Sequence, residues 1–174
     1  MIQKKICMVG LFATGKTSLV RQFVHSRFSE KYLSTVGVKI DRKVVNLDGG
    51  DLGLVLWDVE GRCESSDVPT SYLRGSHGLM LVADGTRPET LAGIPDLWER
   101  TKSATGVVPA VLAVNKADLV DRWVIRAEDL APFESAGWHV LQTSAKTGNG
   151  VEQAFRWLAE RTLEPRSGDA PEPT

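Results

Sequence analysis

The chain is predicted to fold as an α/β domain around a mainly parallel sheet. Short apolar runs recur at regular intervals: "KICMVG", "LGLVLWDV", "GLMLVADG", "PAVLAVNK" and "HVLQTSA". Several are apolar at consecutive positions, as strands buried on both faces are. Segments with helical spacing lie between them, and strands alternating with helices argue for parallel neighbours joined by crossovers.

Each element follows in order. "MIQKKICMVGLFA" imitates a signal peptide, with two lysines ahead of an apolar run. That run is only eight residues, Ile6 to Ala13, and no cleavage-site pattern closes it, so it reads as a buried strand. In "KTSLVRQFVHSRF", Leu19, Val20 and Phe23 fall on one helical face. "GVKIDRKVVNLDGGDLGLVLWD" holds two strand-like runs around "LDGGD", a hairpin signal, so one antiparallel strand is expected on the sheet. "ETLAGIPDLWERTKSATG" predicts a helix whose body starts near Pro95, a residue suited to a first turn. "RAEDLAPFESAG" is also helical in pattern, with Pro132 expected to interrupt it. In "GVEQAFRWLAERTL" the residues Val151, Ala154, Phe155, Leu158 and Thr162 form one stripe, and Gly148, Asn149 and Gly150 break the chain just before it. After Leu163 comes "EPRSGDAPEPT", with too little apolar surface to pack. Residues 1–164 are therefore expected to form one domain and 165–174 a disordered tail.

A length of 174 residues is enough for a sizeable core. A net charge of -1 gives no support for a nucleic-acid surface. The two cysteines, Cys7 and Cys63, offer neither a disulfide framework nor zinc spacing, so a cytoplasmic location is the simplest expectation. No stretch is long enough to span a bilayer. Residue 2 is Ile and no cysteine lies near the C-terminus. No lipid anchor is therefore expected, and membrane contact would need a partner.

Gly10, Gly15, Lys16 and Thr17 fit the spacing G-x-x-x-x-G-K-[ST], between a predicted strand and a predicted helix. Glycines let successive N–H groups face one anion, and a helix N-terminus adds partial positive charge. Lys16 would reach β and γ phosphates, and the Thr17 hydroxyl would ligate Mg²⁺. "NKAD", residues 115–118, follows the strand "PAVLAV". Asp118 can accept two hydrogen bonds from the N1–H and 2-amino edge of guanine. Adenine lacks that edge and would leave the carboxylate unpaired. Lys116 could lay its alkyl stem over the base plane. In "TSAK", residues 143–146, a tight turn could direct the Ala145 N–H toward the guanine O6. "WDVEG", residues 57–61, places Asp58 to hold Mg²⁺ through water and lets the Gly61 backbone approach the γ-phosphate. Thr35 is a second magnesium ligand by the same reading.

Taken in order, "GLFATGKT", Thr35, "WDVEG", "NKAD" and "TSAK" resemble the five guanine-nucleotide motifs of Ras-superfamily small GTPases. "TVGV", "WDVEG" and "SYLRGSHG" look most like the Rab branch, and the resemblance runs from about Ile2 to Leu163. It implies a P-loop G domain with a six-stranded sheet, helices on both faces, and a GDP/GTP switch. It further implies nucleotide contacts from Phe12, Ala13, Thr14, Ser18, Asn115, Ser144 and Lys146. Phe28 would flank the guanine and Tyr32 would close over the phosphates. Residues 30–38 and 61–75 would be the switch segments that meet protein effectors, exchange factors and activating proteins. Lys16, Thr35, Gly61 and Arg62 would surround the reacting γ-phosphate.

Three departures cluster there. Phe12 and Ala13 stand where the family favours glycine or another small residue, Arg62 stands where most members have glutamine, and Val59 and Glu60 replace the usual Thr and Ala. Glutamine both donates and accepts, so it can orient the attacking water; arginine only donates. Slow hydrolysis is the expected consequence. A cis arginine finger, or a GTP- or GDP-bound scaffold with negligible turnover, are the other readings. The Phe12 ring could pack beneath a switch segment or crowd the space a partner's arginine would enter. Cys63 is expected to be an inert thiol.

Overall fold

The computed structural model describes residues 1–31, 35–61 and 69–165. The expectations attached to Tyr32, Arg62, Cys63 and the tail beyond residue 165 fall outside the described residues. The element order is β1 (Ile2–Val9), α1 (Lys16–His25), β2 (Val38–Leu47), β3 (Gly50–Val59), α2 (Thr70–Leu73), β4 (Gly78–Asp84), α3 (Pro88–Ala92), α4 (Ile94–Thr105), β5 (Ala110–Asn115), α5 (Ala127–Ser135), β6 (His139–Gln142) and α6 (Val151–Arg161). The strands form one six-stranded sheet in the order β2-β3-β1-β4-β5-β6. Every pairing is parallel except β2 with β3, in register from Val38 opposite Val59 to Leu47 opposite Gly50. The antiparallel hairpin is the one that "LDGGD" announced.

Strand alternation sorts the core into two layers. Ile6, Met8, Met80, Val82, Val111 and Ala113 pack with α1 and α6, where Phe23 and Phe155 stack at 4.1 Å between centroids. Cys7, Val9, Leu79, Leu81, Leu112 and Val114 face the other way, onto Leu91, Ile94, Leu97 and Leu130 from α3, α4 and α5. Both faces of the central strands are thus apolar and buried, which is why their sequences show no alternation. The α6 stripe is buried as expected, from Val151 through Thr162.

The helix body expected near Pro95 is α4, and the residues before it form a separate short helix, α3, across Gly93, with a proline in the first turn of each. Proline fits that position because the amide hydrogen it lacks has no partner inside the helix. Pro132 does not interrupt α5. The bond it forfeits is to the carbonyl of Glu128, an exposed first-turn residue that water can satisfy. Among the described residues no helix is long and apolar enough to cross a membrane.

Chain order reverses around β1, which pairs with β3 on one side and β4 on the other. In an open α/β sheet the crevice outside the carboxyl ends of the strands at such a reversal is where ligands bind. The loop leaving β1 begins at Gly10, so the glycine-rich segment sits at that crevice.

Candidate functional site

A cavity of about 440 Å³ opens at this end of the sheet, a size suited to a small-molecule ligand. It is lined by Phe12, Ala13, Gly15, Lys16, Thr17 and Ser18 from the first loop and helix, and by Phe28 and Thr35. Glu60 and Gly61 from the end of β3, Asn115, Lys116, Asp118 and Arg122 from the end of β5 and beyond, and Ala145 and Lys146 after β6 also line it. Five sequence-distant motifs therefore converge on one space. Of the remaining predicted residues, Gly10, Thr14, Asp58 and Ser144 stand one step behind the lining and hold residues that form it.

The loop is shaped by its carbonyls. The Phe12 carbonyl accepts two hydrogen bonds from Arg87, at 3.0 and 2.8 Å. The Ala13 carbonyl accepts one from Lys116 Nζ at 3.0 Å, and the Thr14 carbonyl one from Asn115 Nδ2 at 3.1 Å. In a trans peptide the N–H points opposite to the C=O. Holding three successive carbonyls from outside therefore turns the N–H groups of Ala13, Thr14 and Gly15 toward the cavity, an arrangement that attracts anions. Two residues in the loop have positive φ: Gly15 at 98° and Ala13 at 60°. For Gly15 this is free of side-chain cost, but for Ala13 it costs about 1–2 kcal/mol.

Lys16 is buried and its ammonium donates to the carbonyls of Gly10 and Leu11, each at 3.0 Å. Burial lowers its pKa to about 8, with Asp58 opposing and Arg87 adding to the fall. An anion in the cavity would supply the missing counter-charge. Gly61 passes so close that a Cβ there would meet the Gly10 carbonyl oxygen at 2.9 Å and Lys16 Nζ at 2.6 Å, so a side chain would push the β3 end away from this corner.

On the far side, Thr17 Oγ1 lies 2.7 Å from Thr35 Oγ1 and donates to Asp58 Oδ2 at 2.5 Å. Thr35 Oγ1 donates to the same carboxylate oxygen at 3.2 Å. Asp58 is almost wholly buried, and its Oδ1 has no hydrogen-bond partner among the described residues. Burial pushes its carboxyl above the usual range, against the bonds from Thr17 and Thr35 and the charge of Lys16. Two hydroxyls and one carboxylate with a spare oxygen fit a hard cation that keeps several of its waters, as Mg²⁺ does. Beside them, Gly37 and Glu60 exchange two bonds: the Glu60 N–H donates to the Gly37 carbonyl at 2.9 Å, and the Gly37 N–H to Glu60 Oε2 at 3.2 Å. The unusual Glu60 thus ties the start of β2 to the end of β3.

At the base end, Ser144 is buried and its hydroxyl donates to Asp118 Oδ1 at 2.8 Å, fixing the carboxylate. Asn115 Oδ1 receives the Thr143 hydroxyl at 3.1 Å, so "NKAD" and "TSAK" are bonded to each other. Lys146 pairs with Glu30 at 3.1 Å, across the mouth near Phe28, which is 39% exposed. The Lys116 ammonium sits on the Ala13 carbonyl and 2.8 Å from Asp84 Oδ2, and Lys116 lines the cavity. Asp84 and Arg87 were not foreseen. Asp84 is fully buried at the end of β4, where burial alone would raise its pKa. Lys116 and the Thr86 hydroxyl and N–H outweigh that and hold it below the usual carboxylate range. An acid closing the apolar run "GLMLVAD" was the available signal.

A comparison with known families matches residues 5–164 to the Ras family. The chain belongs to the Ras family. It is similar to the Ras-related protein Rab-1 of Theileria annulata, 35% identical over 159 residues, covering 90% of this chain and 72% of the relative. It is likewise similar to the GTP-binding protein YPT1 of Saccharomyces cerevisiae, 34% identical over 166 residues, covering 94% and 80%. Rab-1 of Theileria parva is 34% identical over 159 residues. The family match spans every element of this Rab-like small GTPase that borders the cavity.

Proposed function

We propose that this Rab-like protein is a switch that binds GDP and GTP with Mg²⁺ and hydrolyses GTP slowly, changing the shape of residues 30–38 and 61–75 to control a protein partner. The observation that carries the reading is the alignment of three chemistries along one cavity. Asp118, braced by Ser144, stands at one end; the inward N–H groups and Lys16 form the middle; Thr17, Thr35 and Asp58 stand at the other end. A guanine, a polyphosphate and a divalent cation occur in that order in a metal-bound guanine nucleotide.

Mg²⁺, held by Thr17 and Thr35 directly and by Asp58 through water, would supply positive charge beside the β and γ phosphates. Lys16 and the N–H groups of the loop add charge and donors where the transferring phosphoryl group needs them. No side chain of the described cavity is placed as a strong base, so hydrolysis depends on ordering a water in line with the γ-phosphorus. Arg62 stands in the sequence where a water-orienting glutamine would serve, and on this reading it is the reason turnover is slow.

Bound nucleotide released from the purified protein should be GDP or GTP, and single-turnover hydrolysis should be slow and faster in Arg62→Gln. An adenine nucleotide in the cavity would overturn the base assignment. Absent turnover in both proteins would favour a GTP-bound scaffold, the reading for which Arg62 is the specific sequence feature.

A further inference from the structure

We propose that Arg87 is a positioning residue of the phosphate loop: it holds the Phe12 carbonyl so that the Ala13 N–H faces the bound phosphates despite a side chain at position 13. The inference rests on the nucleotide-binding reading above and adds a residue that none of the five motifs contains.

Arg87 precedes α3 and does not line the cavity. Both of its terminal nitrogens donate to the single carbonyl oxygen of Phe12, at 3.0 and 2.8 Å. Its Nε lies 3.5 Å from Glu89 Oε1 and 3.9 Å from Asp84 Oδ2. Asp84 also faces the Lys116 ammonium at 2.8 Å, and Lys116 holds the Ala13 carbonyl. One buried carboxylate therefore sits between two cations that grip consecutive carbonyls of the loop.

The peptide planes on either side of Ala13 decide whether φ stays at 60°. The plane before it carries the Phe12 carbonyl and the Ala13 N–H; the plane after it carries the Ala13 carbonyl and the Thr14 N–H. Arg87 pins the first and Lys116 the second. A glycine at position 13 would adopt this conformation unaided, whereas alanine prefers negative φ and would rotate the N–H away from the anion. The fork geometry matters as well as the charge, because a guanidinium grips from two nitrogens in a fixed plane and an ammonium from one.

The test is the dissociation rate of a fluorescent GDP analogue from the full-length chain in Mg²⁺, for Arg87→Ala and Arg87→Lys, each with Ala13 or with Ala13→Gly. Melting temperatures are recorded beside each rate. Arg87→Ala should speed release by about tenfold, equivalent to about 1.4 kcal/mol, and by about twofold or less in the Ala13→Gly background, a coupling of the kind contacting residues show. Arg87→Lys should fall between wild type and Arg87→Ala, and it supplies the same cycle should Arg87→Ala not fold. Equal factors in the two backgrounds, with equal losses in melting temperature, would reduce Arg87 to a general structural role and overturn the proposal. Unchanged release in Arg87→Ala, or wild-type release in Arg87→Lys, would overturn it too. A wild-type chain that holds no GDP would remove the nucleotide reading itself, before any variant is compared.

Discussion

The two ends of the cavity are built differently. At the base and loop end, side chains following β4 and at the end of β5 grip backbone: Arg87 on Phe12, Lys116 on Ala13, Asn115 on Thr14. These bonds are internal to the protein, and they fix the backbone of the loop beside the proposed nucleotide site. At the cation end, Thr17, Thr35 and Asp58 bond to one another through the same oxygens that a magnesium ion and its waters would take. Thr35 comes from the segment between α1 and β2 and has no buried strand behind it. On the proposed reading, the difference would let one domain recognise its ligand at one end and switch at the other. Selectivity would then sit at the ends of β5 and β6, and the state-dependent contacts would centre on Thr35, which meets Asp58 at the end of β3.

The largest expected effect is at the base end. Asp118→Ala should abolish the preference for GDP over ADP, a loss on the order of 10⁴-fold by competition binding, because a site built on buried polar pairing rejects mismatched ligands strongly. A retained preference would move base recognition away from the Asp118–Ser144 pair. At the other end, Asp58→Ala should leave that preference intact and weaken the magnesium-dependent part of GDP affinity by about 10–100-fold, as loss of an outer ligand does. Titrating Mg²⁺ at fixed GDP separates the two. Loss of base preference in Asp58→Ala would show that the ends are not independent.

Much of this was legible in the sequence, for a reason that the two ends share. Residues that touch a phosphate, a base edge or a hard cation must be of particular types at particular spacings, so Gly15, Lys16, Thr17, Asp58 and Asp118 could be named from pattern alone. The sheet was legible because strands buried on both faces are continuously apolar. Asp84 and Arg87 were not, because they act on backbone, and any donor of the right reach can hold a carbonyl. The path of α5 through Pro132 was hidden likewise, since it depended on which carbonyl lost its partner. Glu60 was visible as a departure, but its bond to Gly37 appears only once β2 and β3 pair.

Smaller effects sharpen the cation side. Arg62→Gln should raise single-turnover GTP hydrolysis by roughly tenfold without changing GDP release, a modest share of what water positioning supplies in phosphoryl transfer. An unchanged rate would show that the water is ordered by another group. Phe12→Gly should raise hydrolysis stimulated by an activating partner more than it alters GDP affinity, since Phe12 lines the cavity while its backbone carbonyl keeps the Arg87 bonds. Equal stimulated rates in the two proteins would remove steric exclusion by the ring.

The smallest effect is a control away from both ends. His139 on β6 stacks on Trp157 at 4.3 Å, and its Nε2 is buried with no hydrogen-bond partner among the described residues. Burial lowers its pKa below the ordinary 6.5, and Arg161 pushes the same way. The unfolded chain then binds the proton more readily, so this contribution to stability is complete above about pH 6.5 and is lost as pH falls through the lowered folded value. His139→Gln should flatten that acid limb in thermal melts while leaving the GDP-to-ADP ratio unchanged. A changed ratio would mean that the β6 end is less rigid than its bonds imply.

The central claim is that the end of the cavity holding Asp118 reads guanine. Calorimetric titration of the nucleotide-free chain with GDP and with ADP, in Mg²⁺, tests it most directly. GDP should bind on the order of 10⁴-fold tighter; equal affinities would contradict the account.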